Sequence, residues 1–457
     1  MNKRIIGIDL AVSAKHKAVV LDPASNEFIG KQLSFRSRPD DLERVLSRAR
    51  KGASKEVQLI AVMEATGMAW YPVGVYLHHR GVTVYRVNGQ KTKDLRRVFW
   101  KHAGSDHIDS KVLARLYQLD PDRLEYWWPA CGEQLALQRA CRAFSRWRKL
   151  NTALQNRLHA YDQWAWDGIQ KLVPADAQDW MRQQWYNPWR VQEAGVDHLA
   201  AAWQSINSRK AVDTEWITGW VSRAKQMTTL YGSEEMVGYD DLQAIMRHSL
   251  CLRDQYAQEQ ACLTKEQILP LYHKLFPDCF LVTIQGVGLQ SAATYMAFIQ
   301  NIDRFPTIEK FRLWCGIVPA SKQSGYAETK GLRITQAGPN LIKATLYLNA
   351  EVARQWDVQL AAIYYKQMVE YGKHHSQAVC ACASHLASRI FAVLKKQRPY
   401  ELRDLENKPI SKMESRNLCK EFRVPDEVRR RNNKRFRRAQ AEARKDSHLK
   451  QQRDLVK

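Results

Sequence analysis

Short apolar runs alternate with amphipathic stretches over the first 120 or so residues. The apolar runs predict strands at about 3–10, 17–22, 27–34, 58–64 and 82–87. Between them, patterns with a helical period predict helices from Pro39 to about Arg50 and at about 69–79, with more helices from Lys91 onward.

Three strands followed by alternating helix and strand is the element order of a ribonuclease-H-like α/β domain. From about residue 131 the pattern becomes mainly helical. We therefore predict an α/β, RNase-H-like domain at 1–125 and a helical, tryptophan-rich region at 126–274. A helical domain at 275–400 and a basic tail at 401–457 complete the predicted organisation.

Four acidic residues stand where metal-dependent phosphoryl transfer would need them. Asp9 and Glu64 each end an apolar run that predicts a buried strand. Asp106 and Asp109 are three residues apart at the start of a helical stretch, so their carboxylates share one helix face. Such a group of oxygens suits Mg²⁺, and two ions can stabilise the attacking and leaving oxygens of a phosphodiester exchange. The alternative for any single acid is a solvated strand end.

The charge of the chain favours a polyanionic partner. Lys and Arg number 71 against 47 acids, a formal net charge of +24. Neutralisation of phosphates by such residues dominates nucleic-acid affinity, so nucleic acid is the expected partner. Lys93, Arg97 and Lys101 are spaced four residues apart and predict a basic helix face flanking the acids. A plain solvated face is the alternative.

Neither a membrane location nor a structural zinc site is expected. The sequence shows no apolar stretch of the ~20 residues that span a bilayer, and we expect no signal peptide. The nine cysteines lack Cys-x-x-Cys spacing, which favours a reducing cytoplasm.

Eight of the fifteen tryptophans lie between Trp164 and Trp220, in the helical middle region. Interleaved with basic residues, they are candidates for stacking on single-stranded bases. We expect instead that most of them pack in a core.

Two features of the C-terminal half are candidates for contact with phosphates. Gly286 and Gly288 would let the backbone approach a phosphate ahead of a helix N-terminus, as in a helix-hairpin-helix turn, although a plain tight turn also fits. Ser324 lies in a Ser-Gly turn upstream of three cations that would stabilise an alkoxide and an attacked phosphate. These cations, candidates for nucleic-acid contacts, are Lys330, Arg333 and Lys343. An ordinary turn serine is the alternative.

The tail from Arg429 to Lys457 holds twelve Lys or Arg and three acids. This charge predicts an arm that binds nucleic acid, with a purely solubilising tail as the alternative.

Taken in order, these features resemble the DEDD-type transposases of the insertion-sequence 110 family, with the relatives grouped with insertion sequence 1111, and the Piv-type DNA invertases. The resemblance covers about 1–120 and 275–396. Its motifs are Gly7-Ile-Asp9-Leu-Ala, Met63-Glu64-Ala-Thr-Gly67, Val87-Asn88, Asp106-His-Ile-Asp109-Ser, Gln285-Gly-Val-Gly288, Ile302-Asp-Arg-Phe305-Pro, Cys315-Gly-Ile-Val-Pro319 and Gln323-Ser324-Gly325.

The resemblance implies a RuvC-like N-terminal domain and a C-terminal transposase domain with a catalytic serine. The four acids would bind Mg²⁺, and Ser324 would attack DNA to form a covalent phosphoserine intermediate. It also implies a homo-oligomer, a dimer or a tetramer, in which the two domains of different protomers complete one active site. Some members are guided by an element-encoded bridge RNA that pairs with both DNAs.

Departures from the family pattern leave the acids and the serine in place. Ser110 follows the last acid where alanine is usual, and Gln285 replaces a usual proline. Gly104-Ser105 stands where Lys-Thr or Lys-Ser is common, and Thr335-Gln336 where a basic pair is usual. Ser321 is near enough to Ser324 to be the alternative nucleophile.

The sequence therefore predicts a DNA transposase or site-specific recombinase. One alternative is a RuvC-like junction nuclease that uses water and needs only the four acids. The other is a protein that binds nucleic acid without catalysis, on a degenerate nuclease scaffold.

Overall fold

The computed structural model describes residues 3–54, 56–64, 67–87, 106–121, 124–127, 129–130, 132–207, 213–318, 323–324, 327–328, 334 and 338–455. The chain divides into two compact units, Met1–Cys131 and Gly132–Lys457. The first contains a mixed β-sheet, and the second is almost entirely helical.

The N-terminal unit is built from seven strands and three described helices. The strands are β1 (Lys3–Asp9), β2 (His16–Asp22), β3 (Glu27–Phe28), β4 (Leu33–Phe35), β5 (Gln58–Glu64), β6 (Thr83–Val87) and β7 (Glu125–Tyr126). The helices are α1 (Pro39–Arg50), α2 (Trp70–His79) and α3 (Asp106–Leu119). These bounds confirm the strands and helices predicted from the apolar pattern up to Val87, with one exception.

The sheet has the order β3-β2-β1-β5-β6-β7, and β4 also pairs with β2. The strand β1 runs antiparallel to β2 and parallel to β5, which is in turn parallel to β6. An antiparallel meander joined to parallel strands through helices agrees with the predicted RNase-H-like α/β domain.

The exception is the single strand predicted at 27–34, which is wrong. The chain there forms two short strands that pair with β2 in different registers. Leu33 pairs with Ala18 and Phe28 with Leu21, so six residues on one side oppose four on the other. The two extra residues leave the ladder and divide the strand, an effect of tertiary pairing that apolar content does not encode.

Each face of the sheet carries its own core, because successive residues of a strand point to opposite faces. Ile6 and Ile8 of β1 pack with buried residues of α1 and α2, including Val45 and Val73. On the other face, Ile5 packs with a smaller cluster that includes α3: Val19, Leu21, Ile60, Val62, Val87, Leu113 and Ala114.

The second unit contains fourteen described α-helices and one pair of short strands. The helices are α4 (Gly132–Ala165), α5 (Ile169–Leu172), α6 (Gln178–Gln184), α7 (Pro188–Ile206), α8 (Glu215–Tyr231), α9 (Tyr239–Leu263), α10 (Leu269–Leu275), α11 (Leu289–Ile299), α12 (Ile308–Cys315), α13 (Asn340–Ala353), α14 (Val358–Tyr365), α15 (His375–Lys396), α16 (Lys412–Leu418) and α17 (Asp426–Leu455). The strand β8 (Gln323–Ser324) pairs antiparallel with β9 (Ala327–Glu328).

The tryptophan-rich region folds around a core of its own. Four of the eight tryptophans are less than a tenth exposed: Trp166, Trp180, Trp203 and Trp220. Trp185, Trp189 and Trp216 pack against the same core, whereas Trp164 is 49% exposed. This confirms the expectation that most of these side chains serve packing.

A second helical core contains the N-terminal part of α4 together with α11 to α15. The helix α15 is 22 residues long and apolar enough to cross a membrane by length and composition alone. Its apolar residues, among them Val379, Leu386 and Ile390, are buried in this core, which accounts for its composition.

Candidate active site

Asp9 and Glu64 end two adjacent parallel strands. Ile8 of β1 pairs with Met63 of β5, so the two acids follow at the next register position. Alternation places Asp9 on the face of Ile5, and Glu64 on the face of Ile60. Both acids are half-buried. The predicted neighbouring carboxylates therefore share one edge and one face of the sheet.

The helix α3 lies directly on that face, at Gly7. A Cβ built on Gly7 would lie 2.0 Å from the carbonyl oxygen of Ser110 and 2.5 Å from the backbone nitrogen of Ala114. Only glycine permits this approach of helix to strand. Asp109, half-buried, precedes Ser110, so the same contact fixes its backbone near the ends of β1 and β5.

Ser110 forms a contact that the sequence did not predict. Its side chain is fully buried, and its Oγ accepts a hydrogen bond of 2.8 Å from Nε2 of Gln32. The serine that departs from the usual alanine thus connects α3 to the segment between β3 and β4. No periodicity or motif in the sequence indicates Gln32 as a partner.

His16 holds the loop that follows Asp9. The backbone N–H of Ala11 donates to its Nδ1 at 3.2 Å, so the ring proton lies on Nε2, which is 3.0 Å from Oγ of Ser37. Burial, and next the charge of Arg36, lower the pKa of His16 below its usual 6.5. A neutral His16 is thus built into the turn between β1 and β2, and no sequence motif pointed to it.

The placement of the acids fits the predicted oxygen-rich site, but the structure does not show a set of metal ligands. Within the described residues, no three His, Cys, Asp or Glu side chains are close enough together to hold a metal ion. The side chain of Asp106 lies outside the described residues. Asp9 and Glu64 nevertheless end adjacent strands at one sheet edge, and Asp109 directly precedes the residue that contacts Gly7. Carboxylate oxygens are the donors that Mg²⁺ prefers.

Most of the other predicted site residues lie outside the described parts of the chain. This holds for the basic face at Lys93, Arg97 and Lys101, and for Ser321, Lys330 and Arg333. The backbone of Ser324 lies in β8, opposite Ala327 of β9, and its side chain is outside the described residues. Lys343 is half-buried on α13. Their roles stay predictions.

Gly286 and Gly288 differ in their surroundings. Gly286 has a φ of +82°, and a Cβ there would lie 2.7 Å from the carbonyl oxygen of Asn349 and from the backbone nitrogen of Ala353. Its own carbonyl accepts a hydrogen bond from Nδ2 of Asn349. Close packing on α13 therefore requires Gly286, whatever its part in phosphate binding. Gly288 directly precedes α11, and a Cβ placed on it would have no atom of the described residues within 4 Å.

Two parts of the chain match family models of transposases. Residues 6–161 match a transposase family of the DEDD type, and residues 279–366 match the Transposase IS116/IS110/IS902 family. Together the matched segments make up just over half of the chain.

Three curated relatives are similar over part of this chain. The insertion element IS110 uncharacterized 43.6 kDa protein of Streptomyces coelicolor is 29% identical over 131 residues, which are 29% of this chain and 31% of that protein. The pilin gene-inverting proteins of Moraxella lacunata and Moraxella bovis are each 24% identical over 123 residues, 27% of this chain and 38% of theirs. The similarity spans about a third of the length of each relative.

Proposed function

Because the chain belongs to the insertion-sequence 110 family of transposases, we propose that it is a DNA transposase or site-specific recombinase that cleaves and rejoins strands. The observation that carries the proposal is the meeting of Asp9 and Glu64 at the ends of adjacent parallel strands, under a helix held by Gly7. The names of the curated relatives, an insertion-element protein and two gene-inverting proteins, support the same class of reaction.

The N-terminal unit is proposed to be a RuvC-like catalytic domain. Asp9, Glu64, Asp106 and Asp109 would hold Mg²⁺, with two ions at the site. Bound magnesium would supply Lewis-acid stabilisation of the charge that develops on the phosphate and the leaving oxygen. The protein's own contribution is to fix the carboxylates on rigid elements, two by the sheet and two by α3.

Ser324 is proposed as the nucleophile. Its Oγ loses a proton and forms a bond to phosphorus, while the bond from phosphorus to the leaving sugar oxygen breaks and that oxygen takes up a proton. A hydroxyl of a second strand then attacks the phosphoserine and releases Ser324. Bond energy is conserved in the ester, which suits rejoining of strands without net hydrolysis. Lys330, Arg333 and Lys343 would stabilise the attacked phosphate.

Several partners belong to the same proposal. Element ends and target DNA would be the substrates, and the net charge of +24 supports phosphate contacts along the chain. An element-encoded guide RNA is proposed by analogy with the family, as is a dimer or tetramer in which protomers share active sites. The protein would act in the cytoplasm, on the DNA of the nucleoid.

A covalent-adduct assay tests the proposal. The protein is expressed with its native flanking DNA, the lysate is denatured, and DNA attached to protein is mapped to a peptide. We expect an adduct on Ser324 that needs magnesium and that Asp9→Asn reduces by roughly a thousandfold, since metal-supplied stabilisation amounts to several kcal/mol. An adduct retained by Ser324→Ala but lost by Ser321→Ala would move the nucleophile to Ser321.

Asp22→Asn is the matched control for Asp9→Asn. Asp22 also ends a strand of the sheet, but it lies at the opposite end of β1, where it forms an ion pair with Arg4. This variant should still form the adduct. Cleavage without any adduct under trapping conditions would favour the water-using nuclease, and activity that survives Asp9→Asn would favour the non-catalytic binding protein.

A further inference from the structure

A cavity of about 460 Å³ lies between α13 and α14 on one side and α16 and the start of α17 on the other. Five basic residues line it. Arg354 directly follows α13, and the other four come from α16, the segment after it and α17: Arg416, Lys420, Arg423 and Arg429. Asp426 is the single acid among the lining residues. Most of this lining lies beyond residue 366, where the match to the second family model ends.

The positive charge of this basic cavity is largely unbalanced. Arg354 pairs with Glu351, its Nε lying 3.0 Å from a carboxylate oxygen. Within the described parts of the chain, Arg416, Lys420, Arg423 and Arg429 form no ion pair with a carboxylate. Like charges gathered around one concave surface repel each other and attract an anion, because the fields of all of them add inside the cavity.

One wall of the cavity is fixed by the attachment of α16. Ser415 is fully buried, and its Oγ donates to the carbonyl of Trp356 at 2.7 Å and accepts from the N–H of Val358 at 3.1 Å. The guanidinium of Arg416 lies 4.4 Å from the centre of the Trp356 ring. These contacts hold α16 against the turn between α13 and α14.

The other part of the same wall is fixed by the start of α17. Asn432 is buried, and its Nδ2 donates to the carbonyls of Met368 at 2.7 Å and Lys373 at 3.1 Å. The next residue, Asn433, accepts from the N–H of His375 at 3.1 Å. Because these bonds lie one turn beyond Arg429, they fix where that side chain enters the cavity.

The floor combines a guanidinium with aromatic rings. The guanidinium of Arg354 lies 4.0 Å from the centre of the Tyr364 ring, and Phe422 lines the same cavity. Planar guanidinium groups bind phosphate through two parallel hydrogen bonds. Because Arg354 is already paired with Glu351 through two hydrogen bonds, this role falls to Arg416, Arg423 and Arg429. A cavity of this volume is in the range that encloses small ligands. A sugar-phosphate backbone carries the negative charge that complements this lining.

We propose that the basic cavity binds backbone phosphates of a nucleic acid, and that α17 continues the same basic surface away from it. This rests on the proposed function only in that nucleic acid is the substrate or guide, and it does not depend on strand cleavage. DNA and RNA share the phosphodiester that the cavity recognises. The test therefore includes both.

A binding assay by fluorescence anisotropy tests the proposal. It measures the affinity of the full chain for labelled oligouridylate, oligothymidylate and a short DNA duplex over a series of salt concentrations. The cavity variant is Arg416→Gln/Lys420→Gln/Arg423→Gln. The matched control, Lys396→Gln/Arg398→Gln/Lys408→Gln, removes the same charge from exposed positions of the same unit. Thermal denaturation of both variants checks that each is folded.

We expect the cavity variant to lose roughly tenfold or more in affinity for at least one probe. The slope of the logarithm of the binding constant against the logarithm of the salt concentration should also become less steep by about 2, since each lost phosphate contact reduces it by about 0.7–0.9. The control should change the slope by much less. Equal losses in the two variants, or no binding of any probe by the unaltered chain, would overturn the proposal. A chain that binds through the cavity but never forms the Ser324 adduct would support it and count against the proposed function.

Discussion

The carbonyl oxygen of Ser110 lies only 2.0 Å from the position that a Cβ of Gly7 would occupy. This contact sets the position of α3, which carries Asp109, relative to β1, which carries Asp9. Gly7 and Asp9 are alternate residues of one strand and face the same side of the sheet, and Ser110 directly follows Asp109. The geometry of the proposed metal site thus depends on the absence of a side chain at Gly7.

Gly7→Ala should displace α3 and abolish adduct formation. The added methyl would contact helix backbone, which cannot move aside as a flexible side chain can, so we expect a loss of about 1–3 kcal/mol in unfolding free energy. Chemical denaturation and the adduct assay measure the two effects. As a control for the stability measurement alone, Gly288→Ala adds the same methyl at a φ of −85°, where no atom of the described residues lies within 4 Å. An active Gly7→Ala protein of unchanged stability would show that α3 need not lie on β1.

Ser110→Ala should be tolerated, because it restores the residue that is usual in the family. It removes the acceptor of the 2.8 Å bond from Gln32, a change that costs about 1 kcal/mol for a typical hydrogen bond. A double-mutant cycle with Gln32→Ala isolates the pair, and we expect a coupling of roughly 0.5–1.5 kcal/mol. A coupling of zero would mean that the bond does not connect α3 to the segment between β3 and β4.

The strand-end acids could be predicted from the sequence because their placement follows from local pattern. An apolar run that ends in an acid indicates both the strand and the position of the carboxylate, and parallel pairing of β1 with β5 brings Asp9 and Glu64 to one edge. The parallel direction of that pairing follows from the connection through α1, which returns the chain to the same end of the sheet, and not from individual residues.

Other parts depend on contacts that are distant in sequence. Gln32 and Ser110 are 78 residues apart, and nothing in either segment specifies the other. Arg354 and Arg423 likewise line one cavity, although no periodic pattern in the sequence relates the two positions. Composition predicted that the tail would bind nucleic acid, but not that Asn432 would fix it to the carbonyls of Met368 and Lys373.

His16 should make the stability of the N-terminal unit depend on pH. Its folded pKa lies below the unfolded value of 6.5, so the unfolded state binds the proton more readily. The contribution of His16 is therefore complete above pH 6.5 and is lost as the pH falls from there through the folded pKa, by at most about 1.4 kcal/mol per pH unit.

His16→Asn tests this, since an amide can accept from Ala11 but does not titrate. Unfolding free energies at about pH 8 and about pH 5.5, on either side of the ordinary histidine pKa, should differ less in this variant than in the unaltered chain. Other histidines with lowered pKa, such as His385, remain in both proteins and cancel in the comparison. Identical pH dependence in the two proteins would show that His16 is not held neutral by the fold.

The buried ion pair of the tryptophan-rich core gives a prediction that is independent of catalysis. Arg182 and Asp162 are 4% and 1% exposed, with Nη2 2.6 Å from a carboxylate oxygen, and the hydroxyl of Tyr186 donates to the same carboxylate at 3.2 Å. Arg182→Met leaves a buried carboxylate without its cation and should cost about 3–5 kcal/mol. Tryptophan fluorescence should report the loss, since Trp166 and Trp180 pack in this core.

Replacing both partners, as Asp162→Leu/Arg182→Met, separates lost charge pairing from lost packing. With no charge left to bury, the double variant should recover most of the stability that Arg182→Met loses, although the Tyr186 hydroxyl then lacks its acceptor. Adduct formation by the double variant should match that of the unaltered chain, because both residues belong to the tryptophan-rich core and neither is among the proposed catalytic residues. If the double variant were as unstable as Arg182→Met, the loss of stability in Arg182→Met would come from lost packing and not from an uncompensated buried charge.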